Sequence, residues 1–84
     1  MKTIPEIRLF GTENCHKTKH YIAFFKNKNL PFLFFDVLKN KESAEILRNL
    51  YTNKKLNFPT ITIGTKKLRN PQDEVLDKWL SKSL

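Results

Sequence analysis

Two rhythms of apolar and polar positions run along this chain, and the switches between them mark seven elements. Glu6 to Phe10 reads as a buried strand, with Gly11-Thr12-Glu13-Asn14 as the loop after it. From Cys15 to about Lys28 the period lengthens to that of a helix, with Thr18, Ile22 and Phe25 on one stripe. Asn29-Leu30-Pro31 stops it, and Phe32 to Val37 follows as the most apolar strand of the chain. Its near-continuous apolarity predicts a strand covered on both faces. A second helix is predicted from about Lys41 to Tyr51, burying Ile46, Leu47, Leu50 and Tyr51. Leu56-Asn57-Phe58-Pro59 then leads into a β-branched strand, Thr60 to Ile63. Gly64-Thr65 suits a two-residue hairpin loop returning through Lys66-Lys67-Leu68. The last helix is announced by Asn70 as N-cap, Pro71 at its first position and Asp73 and Glu74 in its first turn. Its predicted apolar stripe is Val75, Leu76, Trp79 and Leu80. The order is strand-helix-strand-helix-strand-strand-helix. The first two strands, joined through a helix, should be parallel, and the closing hairpin antiparallel.

At 84 residues the chain is expected to form one domain spanning 1–84, large enough to bury a core without staples. A single cysteine excludes an intramolecular disulfide and, with no signal-peptide core or membrane-length apolar run, predicts a cytoplasmic protein. Sixteen Lys and Arg against eight Asp and Glu give a net charge of +8, a surface that attracts anions. The lysines are scattered and form no nucleic-acid motif, so the anions expected are small thiols or acidic proteins.

Chemistry concentrates at Cys15. The predicted loop-to-helix junction places its thiol against unpaired N–H groups and the positive end of the helix dipole, both of which favour thiolate. Lys17 and Lys19 push the same way, although Lys19 reads more simply as a solvated helix face. Thr18 is one turn away, so its hydroxyl can reach the thiolate or its methyl can pack inward; both readings stay open. His16 and His20 read as exposed helix residues, and Cys15, His16 and His20 on one helix do not make a zinc site, so no metal is predicted.

These elements and motifs together resemble the glutaredoxins of the thioredoxin fold, over roughly Ile7 to Leu80. Cys15-His16-Lys17-Thr18 stands where that family carries Cys-Pro-Tyr-Cys or, in its monothiol class, Cys-Gly-Phe-Ser. Leu30-Pro31-Phe32 through Phe35-Asp36-Val37 looks like its second strand, and Asn57-Phe58-Pro59-Thr60 like its Thr-Val-Pro segment. The resemblance implies an α/β thioredoxin fold: a four-stranded mixed sheet flanked by three helices. It also implies a cis peptide bond before Pro59, with the Phe58 main chain available to an extended substrate. The family's γ-glutamyl-binding Gly-Gly-x-Asp-Asp falls at Arg69-Asn70-Pro71-Gln72-Asp73, which lacks the double glycine. Its upstream lysine is replaced by Thr12 or Asn14.

The resemblance thus implies a monothiol thiol-disulfide oxidoreductase with Cys15 as nucleophile. Lys17, Thr18, Phe58, Pro59, Gln72 and Asp73 are its candidate thiol- and substrate-binding residues. No tightly bound cofactor is expected; glutathione is the candidate co-substrate, with glutathionylated or acidic proteins as partners. The [2Fe–2S] cluster that monothiol glutaredoxins can share is not expected without Gly-Phe-Ser. The alternative is a thioredoxin-fold binding or redox-regulatory module that docks an acidic protein without turnover.

Overall fold

The computed structural model describes residues 6–55 and 58–83; Leu56 and Asn57, part of the predicted approach to Pro59, lie outside them. The elements are β1 (Ile7–Gly11), α1 (His16–Asn27), β2 (Leu33–Asp36), α2 (Lys41–Asn49), β3 (Thr60–Ile63), β4 (Lys66–Arg69) and α3 (Asp73–Ser83). They form one four-stranded sheet in the order β2-β1-β3-β4. β1 and β2 are parallel, and the other two pairings are antiparallel. This is the thioredoxin fold that the resemblance implied.

Alternation along β1 and β3 divides the core between the two faces of the sheet. Ile7, Leu9, Ile61 and Ile63 meet Tyr21 and Phe25 of α1 and Leu76 and Leu80 of α3 on one face. On the other, Phe10 packs with Val37 and with Ala44 and Leu47 of α2. Phe35 stacks on Phe10 with ring centroids 5.0 Å apart.

Several expectations are corrected. β2 starts at Leu33 and lies at a sheet edge, since the crossover through α1 sets it outside β1 while β3 takes the other flank. Its apolarity reflects two partly covered faces, Phe34 against the α1–α3 side and Phe35 against the α2 side. Leu33 stays 48% exposed. The fully buried strand is β3. α2 ends at Asn49, with Ile46 turned outward and Ser43 and Ala44 facing the core instead. On α1 the buried stripe is Thr18, Tyr21 and Phe25, and Ile22 is only half-buried.

The start of the last helix also differs. Asn70 takes a left-handed φ of 47° and does not cap α3. Its N–H donates to the Pro59 carbonyl at 2.9 Å, which extends the β3–β4 ladder by one bond. α3 begins at Asp73, and the carbonyl of Gln72 accepts the N–H of Leu76. Val75 points outward, leaving Leu76 and Leu80 as the buried pair. Gly64 does take the positive φ, 59°, that a glycine-first hairpin loop requires.

Candidate functional site

The chain leaves the sheet at Gly11 and enters α1 at His16, five residues later, which sets Cys15 as the residue before the first helical turn. Its N–H donates to the Thr12 carbonyl at 3.1 Å, and its own carbonyl accepts the N–H of Lys19 at 3.0 Å. Its backbone is extended (φ −85°, ψ 124°), the conformation of a helix-capping residue, and its side chain is half-exposed.

Sγ makes no full capping hydrogen bond with the first turn, but the charge of a thiolate is felt at longer range. The Thr18 N–H holds the Cys15 thiol below its ordinary value of 9.0. Partial burial opposes this, while the Thr18 hydroxyl, the Lys17 N–H and the Lys17 charge add to it. Thr18 is fully buried, and its Oγ1 lies 3.4 Å from the Thr12 N–H, which donates to it. The hydroxyl therefore ties the end of β1 to the first turn of α1. The whole side chain is packed inward, and the partner that its hydroxyl meets is the Thr12 N–H.

Gly11 makes this approach possible. A Cβ there would collide with Thr18 Oγ1 and come within 2.9 Å of its Cγ2. Nothing in the motif spacing advertised that contact.

Two residues past Cys15, at Lys17, begins the wall of a cleft of about 380 Å³ between α1 and residues 70–73, which lead into and begin α3. Lys17, His20 and Tyr21 form one wall; Gln72 and Asp73 belong to the other. Of the predicted residues, Lys17, Gln72 and Asp73 therefore share one cleft; Cys15 and Thr18 do not line it, although the charge of Cys15 reaches Tyr21 on its wall. Pro59, buried and joined to Phe58 by a cis peptide bond, precedes Thr60, which pairs with Phe10 at the end of the sheet that leads to Cys15. Phe58 packs, half-buried, against the Phe10 cluster.

Two cleft residues had no place among the candidates. Tyr21 is buried, and its hydroxyl donates to the Pro71 carbonyl. Burial, then the charges of Asp73 and Cys15, push its phenol up. A tyrosine on an otherwise apolar stripe was the available signal, since a buried phenol needs a partner. His20 is exposed, as its place on the helix predicted, and its Nε2–H also reaches both carboxylate oxygens of Asp73, at 2.8 and 3.0 Å. The partners are 53 residues apart, so sequence spacing carried no trace of the pair. Among the described residues no group of three or more His, Cys, Asp or Glu could hold a metal ion. No helix among them is long and apolar enough to cross a membrane.

Comparison with known proteins agrees with this geometry. The crystal structure of the thioredoxin-like protein BC3987 is similar at a TM-score of 0.74 and 25% identity, covering 87% of this chain and 97% of its own. A glutaredoxin from Archaeoglobus fulgidus shares the fold at a TM-score of 0.73 and 18% identity, covering 88% and 84%. No curated protein sequence matches the chain. The glutaredoxin family model matches residues 7–68, from the first residue of β1 into β4, and so the chain belongs to the glutaredoxin family.

Proposed function

We propose that this protein exchanges thiols and disulfides through Cys15 alone, with glutathione or another low-molecular-weight thiol as co-substrate. Family membership supports a thiol oxidoreductase in general terms. The observation that carries the finer reading is Cys15 itself, half-exposed at the head of α1, its charge favoured by Thr18 and Lys17, beside an open cleft.

In the proposed cycle the Cys15 thiolate attacks the sulfur of a glutathionylated substrate. A disulfide forms between Cys15 and glutathione, and the substrate leaves as a thiolate that takes a proton from solvent. A second glutathione thiolate then attacks the mixed disulfide and releases Cys15 and glutathione disulfide. Over the cycle one free glutathione thiol takes the substrate's place in the disulfide, so the exchange balances with no other reductant. Cys15 is the only cysteine, so an external thiol must close the cycle. Lys17, Gln72 and Asp73 supply polar groups for a thiol in the cleft, and Phe58 and Pro59 form the substrate-facing edge at the head of β3.

The test is the pH dependence of Cys15 alkylation together with reduction of a glutathionylated peptide. The reading expects an alkylation midpoint below that of free cysteine and turnover that vanishes in Cys15→Ser with the fold intact. An unshifted midpoint, or turnover that survives Cys15→Ser, sinks it.

A further inference from the structure

The walls of the cleft carry four charged or ionisable side chains, Lys17, His20, Tyr21 and Asp73, and their pairing is unequal. Asp73 is the only carboxylate among the lining residues. It is held across the cleft by His20, whose Nε2 lies 2.8 and 3.0 Å from its two oxygens. Lys17, one helical turn before His20 on the same wall, makes no salt bridge among the described residues. Its charge acts on Cys15 instead. A second ion pair, Lys28 Nζ to Asp77 Oδ1 at 2.9 Å, joins α1 to α3 further along. The Tyr21 hydroxyl, bonded to the Pro71 carbonyl, fixes the base of the same wall. The carboxylate that would receive a cationic group is therefore already engaged, by a side chain held opposite it.

From this arrangement we infer that His20 is a specificity-determining residue: by engaging Asp73 it leaves Lys17 as the free charge of the cleft. The site then takes thiol substrates that present a carboxylate or other anion near the sulfur, and disfavours those that present an ammonium group there. The inference rests on Cys15 as the exchanging thiol, and it names the charge of the partner that the cleft admits. Removing His20 releases the Asp73 carboxylate into the cleft, where it attracts cations and repels anions. His20 acts wholly through Asp73, so its effect must vanish when the carboxylate is gone.

Two methanethiosulfonate reagents of equal length, one ending in ammonium and one in sulfonate, read this directly. The Cys15 thiolate attacks the sulfenyl sulfur, an S–S bond forms, and methanesulfinate leaves with the bonding pair, so no outside oxidant or reductant is needed. The ratio of the sulfonate to the ammonium rate constants cancels the thiolate fraction and nucleophilicity of Cys15, because both reagents meet the same sulfur. Absolute rates across pH judge Cys15 as a nucleophile; the ratio judges the cleft.

In wild type the sulfonate reagent should react faster. In His20→Gln the ratio should fall by about twofold or more, as the Asp73 carboxylate, no longer held by His20, turns toward the cleft and acts on the two reagents in opposite senses. Asp73→Asn should not lower the ratio, and adding His20→Gln to Asp73→Asn should leave it unchanged. His20 and Asp73 are both about half exposed, so these variants should fold, and circular dichroism checks that they do. A ratio unmoved by His20→Gln, or a change of the same size in the Asp73→Asn background, overturns the inference.

Discussion

Gly11→Ala is the most searching single change to make, because it tests the contact that seats α1 on the sheet. Gly11 has no positive φ, so its need for glycine is spatial and not conformational. An added Cβ falls on Thr18 Oγ1, 2.9 Å from Cγ2 and 3.2 Å from Cβ. Thr18 is β-branched and fully buried, so rotating χ1 exchanges one close atom for another. The strain must pass into β1 or the first turn of α1, and overpacking of this kind costs about 1–3 kcal/mol. For a domain of this size that lowers Tm by about 4–20 °C. Thermal unfolding followed by circular dichroism reads it. Thr18→Ala removes both offending atoms, so the double variant should be more stable than the sum of the singles by about 1–2 kcal/mol. Displacing Thr18 also weakens its hold on the thiolate, so the alkylation midpoint of Cys15 should rise in Gly11→Ala. A melting point within about 2 °C of wild type, or strict additivity with Thr18→Ala, refutes the reasoning.

Three further outcomes follow from the same structure. Because the fold holds the Cys15 thiol below 9.0, wild type should gain stability over Cys15→Ser as pH rises from the folded value to 9.0 and keep it above; urea unfolding at several pH values measures the difference, and a gap that shrinks over that window contradicts the assignment. Tyr21→Phe removes the donor to the Pro71 carbonyl and should destabilise by about 1–2 kcal/mol, read by urea midpoint; a neutral result would mean that water satisfies this carbonyl. Asn40, whose side chain accepts from the N–H groups of Glu42 and Ser43, caps α2, so Asn40→Ala should cost about 1 kcal/mol and lower Tm, with no change in Cys15 alkylation.

Much of this protein was legible from local signals. Apolar spacing located most of the elements, because the periods of helix and strand are properties of the backbone alone, and turn and helix-start residues marked β4 and α3. Gly64 marked the hairpin, and the position of Cys15 after a strand and before a helix pointed to a reactive thiol. Where those readings failed, a second element had overridden a local preference. The apolar run in β2 reports packing on two faces but cannot say that the strand is an edge, since strand order depends on where the crossover lands. Asn70 carries an N-cap side chain, yet the bond from its N–H to Pro59 takes it into the hairpin and out of the helix.

The site divides along the same line. Cys15, Thr18 and Lys17 belong to one helical turn, so the sequence by itself determined which groups could tune the thiol. Only the tertiary structure decided what stands across from them. The collision that reserves Gly11 for glycine joins a strand to the helix after it, and the bond from Tyr21 to Pro71 and the grip of His20 on Asp73 join residues far apart in the chain. Each exists because two elements pack on the sheet in one register, and no spacing along the chain encodes that distance.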